Sequence, residues 1–297
     1  MRRRVGLFLG MTFAVNWLMA GLFWKLGGKW NTPYSLILGV LYMFVPMFSA
    51  IIVQKLIYRQ PLKVPLGISF KLNRWFLIAW FLPPMLTLAS IGVSLLLPGI
   101  SFSADASGFF ERYADIFTPE RIEEMKRRMA EMPINPIWLG LIQGLIAGVT
   151  INAVAAFGEE LGWRGFLQME LAPLGFWRSS LLIGLIWGIW HAPIILQGHN
   201  YPQHPVTGVL MMTVFCLLIG PIFSFIRLKA RSVIAAAIAH GSLNGTAGLS
   251  IVVLKGGSDL TVGLMGLAGF VVLGLANFII FSIIRRGGDE DAFSDAV

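Results

Sequence analysis

The chain alternates between long apolar runs and short polar or basic stretches along its 297 residues. The apolar runs fall near residues 5–26, 33–57, 74–97, 134–157, 178–198, 206–226, 232–252 and 260–284. Each is about 20 residues long, enough at a rise of about 1.5 Å per residue to cross a hydrocarbon core of about 30 Å as one helix. Lipid offers peptide groups no hydrogen-bond partners, so a spanning segment must be a helix or part of a closed barrel. A barrel would show short alternating segments, which are absent. The pattern predicts an all-α polytopic membrane protein of about eight transmembrane helices, forming a single membrane-embedded domain over residues 1–286.

The polar intervals sort by charge. With the amino terminus inside, the intervals on that side carry 15 of the 23 basic residues, among them Arg2, Arg3, Arg4, Lys63, Arg178 and Arg286. The other side holds Lys25, Lys29, Lys255 and an insert at 98–133 whose basic and acidic residues nearly cancel. An excess of Lys and Arg marks the cytoplasmic side. Both termini are therefore expected in the cytoplasm, with the protein multi-pass in the cell membrane. Arg2–Arg4 before an apolar run has the outline of a signal sequence, but the run is too long and no small-x-small site closes it. A retained first span is expected. Inside the insert, Thr118 and Pro119 announce a short helix with Ile122, Met125 and Met129 on one side, an amphipathic element suited to the outer interface. The acidic tail at 287–297 is expected to be disordered.

Composition sharpens this picture. The apolar fraction is 56% and charged residues make up 13%, with a mean hydropathy of +0.75. Soluble domains carry about 25% charged residues, so a water-facing surface is excluded for most of the chain. A net charge of +8 could suit nucleic acid, but the basic residues are scattered between spans, with no zinc-finger spacing or recognition helix. No nucleic-acid partner is expected; membrane lipid is. The lone Cys216 reads as core filling.

Some ionisable residues break the pattern by lying within or at the ends of the apolar runs. Glu159 and Glu160 end the fourth, His191 lies deep in the fifth, and His240 sits in the seventh with Asn244 one turn on. A charge at mid-bilayer costs roughly 2.5–3.5 kcal/mol on insertion scales. The burden is bearable if these groups meet inside the bundle and bond one another. Glu160 and Arg164 share a helix face, as do His240 with Asn244 and Trp187 with His191. Two glutamates, two histidines and an Asn suit hydrolysis by activated water, with an amide or imidazole donating to the oxyanion. Zinc held by Glu159, His191 and His240 is a chemical alternative, although the tight His-Glu-x-x-His spacing is absent. The same residues would also serve a transporter or proton-coupled channel, or persist in a non-catalytic immunity or scaffold protein. His199 and His204, in the connector after the fifth span, read as surface residues.

These motifs resemble the CPBP membrane proteases, the abortive-infection family that includes type II CaaX prenyl endopeptidases. Glu159-Glu160-Leu-Gly-Trp-Arg164 matches the family's Glu-Glu-x-x-x-Arg, followed by Gly165-Phe166-Leu167. His191 holds the histidine of the Phe-x-x-x-His motif, with Trp187 in place of Phe, and His240 with Asn244 matches His-x-x-x-Asn. The likeness covers about residues 134–250. It implies a conical or cup-like active-site cavity between the helices and an endopeptidase acting on a peptide or lipidated protein, in one branch removing the last three residues of a prenylated CaaX protein. By resemblance, Glu159 activates water with help from His191, and Glu160 supports the site through Arg164. His240 and Asn244 stabilise the oxyanion, with Trp187 shaping the pocket wall. The family has been labelled zinc-dependent and is now more often described as metal-independent, so no cofactor is favoured. Residue logic leaves open how Glu159 and Glu160, or His191 and His240, divide their work. Counted from the inner ends of their spans, His240 lies about 12 Å deep and His191 about 20 Å deep. Glu159 falls at the inner end of the fourth run. On this reading the cavity opens to the cytoplasmic side, and laterally for a lipidated substrate.

Overall fold

The computed structural model describes residues 2–30, 32–112, 118–132 and 134–287. The acidic tail, for which disorder is expected, lies almost wholly outside them. Each apolar run is helical. Among the described residues, six helices are individually long and apolar enough to span a membrane: α1 (Arg2–Lys25), α2 (Pro33–Ile51, continued as a π-helix to Ile57), α3 (Arg74–Ser94), α11 (Pro205–Ala230), α12 (Val233–Thr246, carried on to Val253 by α13, Leu249–Val253) and α14 (Leu267–Gly287). Between α3 and α11 come α4 (Ser107–Arg112), α5 (Pro119–Ala130), α6 (Pro136–Val149), α7 (Ile151–Glu160), α8 (Gln168–Leu171), α9 (Phe176–Trp190) and α10 (Ala192–Ile195). The fourth span is a pair bent by 50°, Ile137–Val149 and Ile151–Leu174. Its break is Thr150, whose backbone is non-helical. α9 is the short fifth span. The strands are two residues each, β1 (Ser101–Phe102) and β2 (Leu254–Lys255), antiparallel.

α12 lies at the centre, packed on α3, α6, α7 and α11. Its run of Ala and Gly makes that possible. A Cβ on Gly241 would stand 2.5 Å from the carbonyl oxygen of Gly148, and one on Gly148 would stand 2.7 Å from Ser242 Oγ. Only glycine lets these two backbones approach so closely. α1 is part of the bundle: Phe8, Thr12, Asn16 and Ala20, four residues apart, are fully buried. Asn16 accepts from the Trp190 indole (2.9 Å) and donates to the carbonyl of Tyr42 (2.9 Å), while Tyr42 donates to the carbonyl of Trp190 (2.9 Å). These bonds fix the end of α9 beside His191.

Long-range bonds define the two ends of the bundle. At the end bearing the termini, Arg4 pairs with Glu170 (2.8 Å), Ser232 donates to the Ser69 carbonyl (2.6 Å), and Trp177 meets Phe281. At the other end, Trp30 stacks on His199, Tyr201 donates to the Met265 carbonyl (2.8 Å), and Asp259 accepts from the backbone N–H of Gln203 (2.8 Å). The insert lies at this second end. α5 forms as its sequence predicts: Thr118 caps Arg121, Pro119 opens the helix, and no residue is buried.

One sequence expectation fails here. Glu159 does not end the fourth span, because the helix continues through Leu174. The polar cluster at 159–164 is satisfied inside the bundle, so its polarity marks a buried site and not a helix terminus.

Candidate active site

Glu159 and Glu160 occupy the last turn of α7, and the helix then widens into a π-turn over Leu161–Leu167. Such segments often mark functional sites because they redirect side chains. Close packing places this turn. A Cβ on Gly158 would meet the Met43 carbonyl at 2.7 Å, and one on Gly162 would meet Pro46 at 2.6 Å. α9 approaches α11 in the same way, through Gly184 against Cys216 and Gly188 against Thr213.

The sequence-predicted residues converge. Glu160 is fully buried and its Oε1 accepts from both Arg164 Nη1 (2.9 Å) and His240 Nδ1 (2.9 Å). The Arg164 guanidinium lies 4.4 Å from the ring of Trp187 and 5.3 Å from that of Phe223, a cation held between two aromatic faces. Glu159 Oε2 accepts from Trp187 Nε1 at 2.7 Å. His191 Nδ1 lies 2.7 Å from the carbonyl oxygen of Trp187. A carbonyl only accepts, so Nδ1 carries the proton and Nε2 keeps a lone pair. Since Glu160 already faces a guanidinium, it is an acceptor for His240 Nδ1–H as well. His240 Nε2 then accepts in the neutral ring and donates once the ring is protonated. Trp187 stands beside both imidazoles, at centroid distances of 5.6 Å from His191 and 5.4 Å from His240.

Glu159, Trp187, His191, His240 and Asn244 all line one cavity of about 660 Å³. Asn244 is exposed, one turn from His240 toward the mouth. Glu160 and Arg164 lie behind this wall and are fully buried. Tyr42 and Asn152 are among the further lining residues that sequence reasoning did not single out. Asn152 lies seven residues before Glu159, two helical turns along the same face, and that spacing could have revealed it.

Two expectations are corrected. His199 is not a free surface residue: it is half-buried, lines the cavity and stacks on Trp30 at 4.5 Å. Burial pushes its imidazole down to about 4. His204 is at the surface as expected, its Nδ1 bonded to Asp259 at 2.6 Å. The cavity also opens at the wrong end for the sequence reading. Its rim is Trp30, His199, Pro202, Ile251 and Met265, all at the end away from the termini. A second cavity of about 950 Å³ adjoins it there, sharing Trp30, Gly198, Asn244 and Gly248. Cytoplasmic termini and a cytoplasmic mouth therefore cannot both hold.

Among the described residues, no group of three or more His, Cys, Asp or Glu side chains is close enough to hold a metal ion. Two of the three atoms suited to a zinc alternative would be His191 Nε2 and His240 Nε2, with the free oxygen of Glu159 as the third.

Residues 135–246 match the family described as type II CAAX prenyl endopeptidase, Rce1-like. This segment is the part of the chain that is similar to that family. It contains Glu159, Trp187, His191, His240 and Asn244 of the cavity wall and Glu160 and Arg164 behind it, while Gly39, Tyr42 and Met265 of the same wall lie outside the match. The chain is also 33% identical over 97 residues to the CAAX prenyl protease 2 of Methanococcus maripaludis, covering 31% of this chain and 36% of that protein. It thus spans about a third of the length of the curated relative it matches. The Rce1-like segment begins after the first three spans and the insert, which lie outside the match. The whole chain is a multi-pass membrane protein.

Proposed function

We propose that the chain is an intramembrane endopeptidase of the CAAX-protease type that hydrolyses a peptide bond with water activated by Glu159. The observation that carries this reading is the meeting of Glu159, His191 and His240 around one cavity, with Glu160 and Arg164 buried directly behind. Lipid makes such a gathering costly unless it has a use.

The chemistry follows from the free atoms. Trp187 holds one oxygen of Glu159, and the other is left to take a proton from water as the water oxygen bonds to the peptide carbonyl carbon. His191 Nε2 accepts the water's second hydrogen and orients it. The Asn244 amide and the protonated His240 ring donate to the developing oxyanion, and the Glu160 carboxylate supports the charge on that ring. The C–N bond then breaks as the proton on Glu159 passes to the departing amine nitrogen. Trp187 and Arg164 are positioning residues.

The substrate is a peptide or lipidated protein segment, and a CAAX peptide, which the relatives' names suggest, is the first to try. Protein purified in detergent is expected to cleave a quenched fluorescent peptide carrying a farnesylated CAAX terminus. Loss of the general base in Glu159→Gln is expected to cut turnover by about 10²–10⁴-fold with the fold intact. Unchanged turnover in that variant overturns the role of Glu159. Cleavage of unlipidated peptides alone removes the prenyl assignment. Zinc present in stoichiometric amount, and lost together with activity on chelation, would replace the metal-free mechanism with one using Glu159, His191 and His240 as ligands.

A further inference from the structure

The two adjoining cavities are electrically lopsided. Glu159 is the carboxylate of the inner one. In the outer vestibule, Lys29 is the one charged side chain among the described lining residues, and it has no ion-pair partner among them. The turn that carries Lys29 is held in place. Its carbonyl accepts from the Thr32 backbone N–H (3.2 Å) and from Thr32 Oγ1 (2.7 Å), and the Gly28 N–H donates to the Phe23 carbonyl (2.8 Å). The next residue, Trp30, belongs to both cavity walls and stacks on His199 at 4.5 Å. A fixed backbone thus offers an exposed, unpaired ammonium to the vestibule. Lys29 lies outside the segment that matches the Rce1-like family.

The span from the floor to this cation can be measured along α12 and its continuation. Asn244 and Gly248 lie on both walls, one and two turns beyond His240. At about 1.5 Å per residue they stand about 6 and 12 Å above it. An extended peptide of three residues covers about 10 Å. A chain of that length held at Glu159 therefore ends where the two cavities join.

Resting on the protease reading and its CAAX-type substrate, we propose that Lys29 is a specificity-determining residue that receives the free α-carboxylate of the substrate. A CAAX box ends in such a carboxylate three residues beyond its cysteine. With the scissile carbonyl at Glu159, the residues to be released run past Asn244, and their terminal carboxylate emerges in the vestibule beside Lys29. The opposite placement would press that carboxylate against Glu159, where the nearest guanidinium, Arg164, is already bonded to Glu160 behind the wall. Charge at such a rim fixes register and selects partners more than it adds affinity. Lys29 thereby distinguishes a true carboxyl terminus from an internal stretch of chain.

Two farnesylated CAAX peptides that differ only at the carboxyl terminus test this, one a free acid and the other a carboxamide. With the parent protein in detergent, the acid is expected to have a KM about three- to tenfold below that of the amide. Lys29→Gln should raise the KM of the acid to that of the amide with kcat little changed, and Lys29→Arg should keep the acid's advantage. That advantage should also shrink as ionic strength rises. Equal KM values for acid and amide in the parent, or an advantage that survives Lys29→Gln, overturn the inference while the protease reading stands. If the parent cleaves neither peptide, the protease reading falls and this inference falls with it.

Discussion

The indole of Trp187 donates to the carboxylate of Glu159 across 2.7 Å, tying the fifth span to the fourth at the floor of the cavity. The same residue's carbonyl holds His191, and its ring flanks Arg164. One residue therefore orients an acceptor and a buried cation through its side chain and an imidazole through its backbone. Trp187→Phe keeps the aromatic face and removes the donor. Hydrogen bonds to charged groups contribute about 1.5–3 kcal/mol, and about 1.4 kcal/mol is a tenfold change in rate. We expect kcat to fall by about tenfold or more with KM little changed, while the unfolding temperature in detergent moves slightly. An unaltered kcat would remove Trp187 from the positioning role.

Arg164 should behave differently. Arg164→Met leaves the Glu160 carboxylate buried with His240 as its remaining partner. Breaking one side of a buried pair costs about 3–5 kcal/mol. Thermal unfolding in detergent should drop sharply, and the double variant Glu160→Gln with Arg164→Met should regain part of the loss. If the double variant is as unstable as the sum of the two single ones, the pair is not coupled as described.

Gly39 faces open space within the cavity wall. Gly39→Trp fills that space at no steric cost to the backbone. Turnover of a bulky, lipid-bearing peptide should fall through KM, and that of a short unlipidated peptide should be nearly unaffected. Equal losses for both substrates would show that this wall does not meet the substrate.

His199 supplies a pH signature. Burial lowers its imidazole to about 4, against an ordinary value near 6.5 in the unfolded chain. Protonation therefore favours unfolding: the stability that depends on a neutral ring is complete above about pH 6.5 and is lost as pH falls toward about 4. The unfolding temperature of His199→Gln should change less across that window than that of the parent. Parallel curves would show that His199 titrates as an exposed group does.

Much of this architecture is legible in the sequence, for a physical reason. Lipid forbids unpaired polar groups, so the apolar runs had to be helices, and Glu159, Glu160, His191 and His240 had to find one another. The same logic misled at the helix end, because Glu160 and Arg164 look like the polar edge of a span when read along the chain. Their bond closes within the bundle, and the helix carries on past them to Leu174. His199 was misread for the converse reason. A histidine in a connector looks solvated, and its burial depends on Trp30, far away in sequence. The direction of the mouth was hidden altogether, because residue depth along one span says how far a side chain lies from an end, not which end is sealed.

The aromatic clamp on Arg164 has an electrical consequence. Solvent that enters the open end of the cavity as far as Glu159 and the two imidazoles thins the insulating layer of the membrane to what lies beneath. Nearly all of the transmembrane voltage then drops across that layer, where the guanidinium is neutralised by Glu160 and enclosed by Trp187 and Phe223, so that a proton or metal cation finds no polar path along the field. The cell can keep a deep watery well in its membrane without short-circuiting its own battery.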